Sequence, residues 1–286
     1  MSFSARYILN GAFVVTVIDS KDVADEAARL HGLPPLYSAA LNRLLTVGVF
    51  LSQDLKSPFD RLSLTVETDG PIKRAVVAAK SGGLVKGYLV TDGGGEPTNA
   101  AGGGGLDVSA AFGKSGRIRV IKDLGMREPY VGNSEVVRGD IASDFALYLT
   151  VSEQRPSGIA MGEYFDGRSI LSASGIFVQA LPGADDFLIT AVQDVLTRFT
   201  DVGKILYSLK TADAVMSEYF GAFEFKKIDE YVPRYLCDCS EERVKEIILA
   251  LGRDEAAATI KEVGKIEVKC SFCEKNYSYT DIGEIF

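Results

Sequence analysis

The chain has 286 residues and a formal net charge of −8 at pH 7, and 47% of its residues are hydrophobic. Its length predicts more than one folding unit. Phosphate binding depends on clustered Lys and Arg, so an acidic chain without a basic run argues against nucleic acid as a partner. No stretch approaches the roughly 18 apolar residues of a membrane span, and the N-terminus lacks the apolar core of a secretory signal. We expect a cytoplasmic protein with no membrane partner.

The first part of the chain begins with strands and continues into helices. Alternating apolar residues predict strands over 7–9 and 13–18. Ser20 is the expected N-cap of a helix over about 21–30. A second predicted helix, over about 34–55, opens on a Pro-Pro pair and is apolar on nearly every side. Such a helix is expected to be buried inside a domain.

A run of short strands follows. Segments 62–66, 72–79 and 84–91 are separated by short glycine-containing turns, which predicts an antiparallel meander. The glycine-rich segment 93–105 predicts a surface loop. The remaining predicted elements of this part are strands over 118–121 and 130–137, a helix over 141–151 and a final strand over 169–179.

Beyond Leu181 the pattern changes to short helices that indicate a connector. Asp185 or Asp186 is the expected cap of the first of them. The predicted helices cover 187–199, 202–209 and 212–220, and an extended segment covers 223–236. Aromatic residues of the connector are ordinarily core residues.

The last unit is predicted to be small. Ser240 is the expected cap of a helix to about Leu251, and a second helix runs from Asp254 to Gly264. Segments 266–269 and 276–279 predict a hairpin. About 55 residues with few large apolar groups give a marginal core, for which a bound metal is a common remedy.

All four cysteines of the chain lie in this last unit, and none occurs in the first 236 residues. Cys237 and Cys239 form a C-x-C pair, and after thirty intervening residues Cys270 and Cys273 form a C-x-x-C pair. Four thiolates suit the tetrahedral coordination of zinc. The spacing therefore predicts one Zn²⁺ held by all four cysteines, against the alternatives of two disulfides or free thiols.

Two interpretations of such a site stay open on spacing alone. The simpler one is a zinc ribbon that only holds the unit together. The other is a redox switch, because the members of each pair are close enough in sequence to form a local disulfide after oxidation. Losing zinc would remove on the order of 10 kcal/mol from a unit with little core, so that unit should then unfold.

Other motifs favour ordinary structural roles. Gly113-Lys114-Ser115 resembles the end of a phosphate-binding loop, but that motif requires glycine where this chain has Val108. A turn is the better interpretation. His31, the single histidine, lies near a helix end without a nucleophile motif, which favours a surface or C-capping role.

The cysteine spacing at the end of an acidic chain of this length resembles the redox-regulated heat-shock chaperones of 33 kDa, the heat shock protein 33 family. The resemblance extends along the whole chain through DGPIKRAVV (69–77), VIKDLG (120–125), SEQRPSG (152–158) and FVQALPGADD (177–186). It implies an α+β fold in which an N-terminal domain of β-sheets surrounds buried helices, followed by a helical linker and a zinc-binding redox-switch domain. We place these parts at 1–180, 181–230 and 231–286.

The resemblance also implies a function. The expected protein is not an enzyme but an ATP-independent holdase, inactive when reduced and zinc-bound. Oxidation by peroxide or hypochlorite under unfolding conditions is expected to form the disulfides Cys237–Cys239 and Cys270–Cys273, release zinc, unfold the linker and produce a homodimer that binds unfolding client proteins. A zinc-ribbon nucleic-acid binder and a dithiol oxidoreductase are the competing hypotheses. The acidic charge opposes the first, and a metal holding all four thiols opposes the second.

Overall fold

The structure, a computed structural model, describes residues 2–95, 106–167 and 169–286. The chain divides into two compact units, Met1–Tyr235 and Leu236–Phe286. The segment 181–230 lies within the first unit. That this segment acts as a separate linker remains a prediction.

The first unit contains two sheets whose strands pair antiparallel, except for one parallel pair at the edge of the second sheet. The five-stranded sheet has the order β10-β1-β2-β9-β8, and the six-stranded sheet has the order β11-β5-β4-β3-β6-β7. The strands are β1 (Phe3–Leu9), β2 (Phe13–Asp19), β3 (Arg61–Thr68), β4 (Ile72–Lys80), β5 (Leu84–Thr91), β6 (Gly116–Asp123), β7 (Tyr130–Val136), β8 (Ser157–Asp166), β9 (Ser169–Ala180), β10 (Phe225–Tyr231) and β11 (Arg234–Tyr235).

The helices of the first unit are α1 (Lys21–His31), α2 (Pro35–Leu51), α3 (Ser109–Phe112), α4 (Ile141–Val151), α5 (Asp186–Thr197), α6 (Val202–Leu209) and α7 (Ala212–Phe220). Helix α2 has fifteen buried residues among its seventeen, so it has no solvent face. It packs with residues of both sheets in one core, where Phe50 stacks on Phe177 of β9 at 4.2 Å between ring centroids. The predicted α+β fold with a buried helix between sheets is confirmed.

The connector helices cover the other face of the five-stranded sheet. Val195, Leu206 and Phe220 from α5, α6 and α7 belong to one core with Tyr7 of β1 and Ile176 of β9. The helix bounds of α6 and α7 agree with the prediction, and Asp185 is the residue that caps α5, since its side chain accepts the Phe187 N–H at 2.9 Å. Burial of one apolar face per helix is what their spacing predicted.

Several predictions about the first unit were wrong in detail. Ser20 stands before α1 without capping it, because its hydroxyl is buried and bonds Thr46 Oγ1 and the Ala173 carbonyl instead. Helix α2 ends at Leu51, followed by a short 3-10 turn. The strand over 169–180 is not the final one, since β10 and β11 follow it in the same unit.

Strand β8 and the short helix α3 were not predicted at all. Every residue of β8 but the last is half-buried, so the strand carries no alternation of buried and exposed positions. It forms the edge of its sheet and pairs only with β9 among the described strands. A strand without alternation gives sequence analysis no period to detect.

The second unit consists of two helices and a hairpin: α8 (Glu241–Leu249), α9 (Arg253–Val263), β12 (Ile266–Lys269) and β13 (Asn276–Tyr279). Ser240 caps α8 by accepting the Arg243 N–H, and Gly264 ends α9 in the left-handed conformation. The unit's buried apolar cluster has seven members, namely Val244, Ile248, Ala256, Ile266, Tyr277, Tyr279 and Ile285. A core of this size is marginal for an independent fold.

Two further sequence predictions concern the glycine-rich loop and membrane spans. Most of the predicted glycine-rich loop, residues 96–105, lies outside the described residues. No described helix combines the length and the apolar character that crossing a membrane requires.

Candidate metal centre

The four cysteine sulfurs converge on one point in the second unit. The Sγ atoms of Cys237, Cys239, Cys270 and Cys273 all lie within 4.8 Å of one another. Two short contacts join the two halves of the site: Cys237 to Cys270 at 3.6 Å and Cys239 to Cys273 at 3.4 Å. All four residues are free thiols and are half-buried. The predicted ligand set is therefore assembled in space.

The C-x-C half is held at the start of α8. Cys239 immediately precedes the capping Ser240, so the beginning of the helix fixes its backbone. Between the two cysteines, the Asp238 carboxylate pairs with Arg243 of α8 at 3.0 Å. Arg243 also donates to the Asp238 carbonyl at 3.3 Å. These bonds tie the pair to the first turn of the helix.

The C-x-x-C half is a tight turn between β12 and β13. The Cys270 N–H donates to the Lys275 carbonyl at 2.9 Å, and the Glu274 N–H donates to the Cys270 carbonyl at 2.8 Å. Glu274 adopts a left-handed φ of 61° to close the turn, and its carboxylate pairs with Lys269 across the hairpin. The turn directs both sulfurs to the same side, as a zinc knuckle does.

A non-cysteine side chain, that of Tyr277, also reaches the sulfurs. Tyr277 of β13 is 6% exposed, and its hydroxyl donates to Cys239 Sγ at 3.2 Å. Lys275 places its Nζ 4.7 Å from the centre of the Tyr277 ring. Tyr277 was not among the site residues predicted from the sequence. Its signal was the period-two alternation of β13, which turns Tyr277 and Tyr279 inward together, but only the hairpin register shows which hydroxyl meets a sulfur.

The site favours ionisation of one sulfur and opposes ionisation of two others. Burial opposes ionisation of Cys239, but hydrogen bonds from Tyr277 and the other thiols outweigh it and lower its pKa to about 7. Burial, with hydrogen bonds among the thiols, raises the pKa of Cys237 and of Cys273. Like charges at this separation disfavour each other. The set is thus one that a divalent cation would complete, displacing protons as it binds.

The geometry fits zinc. Tetrahedral Zn–S bonds of about 2.3 Å place sulfurs about 3.8 Å apart, close to the 3.4 and 3.6 Å contacts found here. Four soft thiolates favour zinc over magnesium or calcium, which prefer oxygen ligands. The hydrogen bond from Tyr277 supplies the outer-shell partner that metal ligands commonly have. Assignment of the four cysteines as zinc ligands is a proposal that this fit supports.

The other residues singled out from sequence have structural roles. His31 is the last residue of α1 and lies 3.2 Å from the Tyr235 hydroxyl. The Gly113–Ser115 segment is a turn, as expected, since Gly113 follows α3 and the Ser115 N–H donates to the Asp69 carboxylate at 3.1 Å. None of them lies in the unit that carries the sulfurs.

Comparison with known proteins gives concordant results along the whole chain. A family model described as Hsp33 protein matches residues 5–280. The 33 kDa chaperonin of Clostridium novyi (strain NT) is 35% identical over 283 residues, covering 96% of this chain and 94% of the relative. The 33 kDa chaperonin of Clostridium perfringens (strain 13 / Type A) is 36% identical over 279 residues, covering 96% and 87%.

A solved structure has the same fold. The crystal structure of the 33 kDa chaperonin (heat shock protein 33 homolog) from Thermotoga maritima matches with a TM-score of 0.87. The match covers 99% of this chain and 97% of that one at 27% identity.

Proposed function

Since the chain belongs to the Hsp33 family of chaperones, we propose that it is a redox-regulated holdase of the cytoplasm that binds unfolding proteins without ATP. It is not an enzyme, and it uses neither nucleic acid nor a membrane as partner. The observation that carries the proposal is the convergence of four sulfurs within 4.8 Å in a unit with only seven buried apolar residues in its core.

In the reduced state the four cysteines hold the second unit together. Cys237 and Cys239 precede α8, whereas Cys270 and Cys273 lie in the β12–β13 turn. Bound zinc would supply two positive charges that keep the four sulfurs as thiolates. The ligands thereby join the start of the helical pair to the hairpin, and the small core alone does not need to do so.

Oxidation removes that link. Each disulfide takes two electrons from two sulfurs, and disulfide sulfurs are poor metal ligands. We assign the bonds Cys237–Cys239 and Cys270–Cys273, because closing a loop of three or four residues requires little chain ordering once the site loosens. The second unit, left with seven buried apolar residues, then unfolds.

The connector supplies the client-binding surface. Sixteen residues separate the end of α7 at Phe220 from Cys237, so the connector is close in sequence to the site. Its helices bury Val195, Leu206 and Met216 against the five-stranded sheet. Release of these helices exposes their apolar faces and the sheet beneath them, which then bind the apolar segments of unfolding proteins and support a homodimer.

The test compares suppression of aggregation by reduced, zinc-loaded protein and by peroxide-treated protein, using a thermally unfolding client. Only the oxidised protein is expected to suppress aggregation, and reduction should reverse the effect. A variant with all four cysteines replaced by serine serves as the control that cannot respond to peroxide. Equal suppression by the reduced and oxidised wild-type protein would reject the proposal.

A further inference from the structure

The Tyr277 hydroxyl contacts one of the four sulfurs directly. The Oη–Sγ distance to Cys239 is 3.2 Å. The ring is buried in the small core of the unit, and Tyr277 pairs with Val268 across the hairpin. The donor is therefore held in place by the same strand that follows the Cys270–Cys273 turn.

The neighbouring Lys275 strengthens this donor. Its Nζ lies 4.7 Å from the centre of the Tyr277 ring. A cation over an aromatic face draws electron density from the ring, which makes the phenolic O–H a better hydrogen-bond donor. Cys239 thus receives a hydrogen bond from a ring that a cation contacts.

We propose that Tyr277 is a positioning residue that sets the oxidant threshold of the site: its hydrogen bond to Cys239 Sγ retards oxidation of that sulfur and helps the site retain its metal. The inference rests on the proposed function. A hydrogen bond withdraws charge from a thiolate sulfur, so the sulfur is a weaker nucleophile towards a hydroperoxide. Outer-shell partners of metal ligands also contribute to metal affinity.

The reaction that the hydrogen bond retards is a two-electron oxidation. The Cys239 thiolate attacks one oxygen of a hydroperoxide, an S–O bond forms and the O–O bond breaks. The departing alkoxide or hydroxide takes a proton, and the sulfur becomes a sulfenic acid. A second thiolate then attacks that sulfur, an S–S bond forms, and the sulfenic oxygen leaves with another proton as water. In total, two thiolates, one hydroperoxide and two protons give one disulfide, one alcohol or water, and one water.

The chain offers a matched control on the same strand. Tyr279 is also buried, belongs to the same core and has a lysine, Lys245, near its ring at 5.7 Å. Its hydroxyl has no hydrogen-bond partner among the described residues. Tyr279→Phe therefore removes a buried hydroxyl without removing a bond to sulfur.

The experiment compares full-length wild type, Tyr277→Phe, Tyr279→Phe and Lys275→Met, each reduced and loaded with one zinc per chain. Zinc affinity is measured without oxidant by competition with a chelator. Modification of Cys239 after a fixed dose of peroxide is followed by thiol alkylation and mass spectrometry. Tyr277→Phe is expected to lower zinc affinity about 10-fold and to speed oxidation of Cys239 several-fold. Lys275→Met is expected to change both about 2-fold in the same direction, and Tyr279→Phe to match wild type.

The outcomes separate this inference from the proposed function. If wild type loses zinc to peroxide and Tyr277→Phe behaves like Tyr279→Phe in both measurements, the inference is rejected while the function stands. If wild type keeps zinc and its thiols under peroxide, the proposed function itself fails. Should Tyr277→Phe not fold, Lys275→Met decides: unchanged zinc affinity and oxidation rate in that exposed-lysine variant would overturn the inference.

Discussion

The two units bury ionisable groups in opposite ways. The first unit buries Lys122, and its Nζ is matched by carboxylates of the same unit, Asp54 at 3.0 Å and Glu153 at 2.7 Å. Arg155 completes this network at 2.9 Å from Asp54. The second unit gathers four thiols whose Sγ atoms lie within 4.8 Å of one another, and their ionised forms would repel one another unless a cation is bound. The first unit neutralises the buried charge of Lys122 internally, whereas under the proposed function the second unit depends on a bound metal.

The two units also differ in the size of their apolar cores. The first unit has apolar clusters of 34 and 17 buried residues around α2 and under the connector helices, while the second has a cluster of seven. Stability from apolar burial grows with the area removed from water. We therefore expect the core around α2 to stay folded without the metal, and the second unit to depend on the metal. Under the proposed function, this contrast allows the second unit to respond to oxidant while the core around α2 persists as a scaffold.

The largest expected effect comes from removing one sulfur ligand. Cys270→Ser should destabilise the second unit by several kcal/mol and, if zinc is lost entirely, by on the order of 10 kcal/mol. Limited proteolysis should then cut within α8 and α9 while the sheets around α2 stay intact. Ser271→Ala, at the exposed neighbouring position, is the matched control. Protection of α8 and α9 in Cys270→Ser would show that the core suffices without the metal.

A cavity made in the core of the first unit tests whether the stability of that unit affects zinc binding in the second. Leu44 of α2 is fully buried, and Leu44→Ala should lower the free energy of unfolding of that unit by about 2–5 kcal/mol. Urea denaturation followed by tyrosine and circular dichroism signals measures the change. Zinc stoichiometry should be unaffected, as it should be in the control Leu147→Ala on the exposed side of α4. Loss of zinc from Leu44→Ala would mean that the units are not independent in stability.

The charge state of Asp19 gives a pH signature confined to the first unit. Burial raises the pKa of Asp19 to about 6 from its ordinary value of 3.8, although its carboxylate accepts the Lys21 N–H. A raised folded pKa means that the folded state binds the proton more tightly, so this group's contribution to stability is lost as pH rises from about 4 to about 6.

Asp19→Asn keeps the hydrogen-bond acceptor and removes the charge. It should raise the free energy of unfolding by about 1–2 kcal/mol at pH 7, after allowance for partial exposure, with no gain below about pH 4. Denaturation of both proteins at pH 4, 5.5 and 7 checks the pH dependence. A gain that does not vary with pH would contradict the assignment to ionisation.

The smallest expected effects come from removing one helix cap in each unit. Thr211 caps α7 in the first unit and Ser240 caps α8 in the second, each by accepting a backbone N–H. Replacing either by alanine should cost about 0.5–2 kcal/mol. Hydrogen exchange of α7 and α8 is the measurement. In metal-free protein, Ser240→Ala should speed exchange in α8 far more than Thr211→Ala speeds exchange in α7. The reason is that the metal-free second unit is expected to have a small free energy of unfolding.

Local signals accounted for much of the fold. The hairpin strands β12 and β13 were predicted with correct bounds because alternating residues flank a turn that two cysteines mark. Helix α2 was predicted as buried because it is apolar on every side. Strand β8 was missed because all its residues but the last are half-buried, which leaves no alternation to detect. The predicted capping role of Ser20 was wrong because a tertiary contact with Thr46 competes for its hydroxyl.

The candidate site likewise contains residues that the sequence could predict and residues that only the structure shows. The four cysteines could be named from sequence because metal ligands of one type at short spacing are a local pattern. Tyr277 could not, since its contact with Cys239 joins residues 38 positions apart and depends on the hairpin register. The Lys122–Asp54 pair, 68 positions apart, is equally invisible to a local pattern.

The central claim is that oxidation of the four sulfurs unfolds the second unit and the connector while the sheets around α2 persist. Hydrogen exchange with mass spectrometry, on reduced zinc-loaded protein and on peroxide-treated protein, tests it most directly. The account predicts that 236–286 and the helices α5 to α7 lose protection after oxidation, whereas α2 and β3 to β6 keep theirs. A protein with both disulfides formed, zinc released and the protection of α5 to α9 unchanged would contradict it.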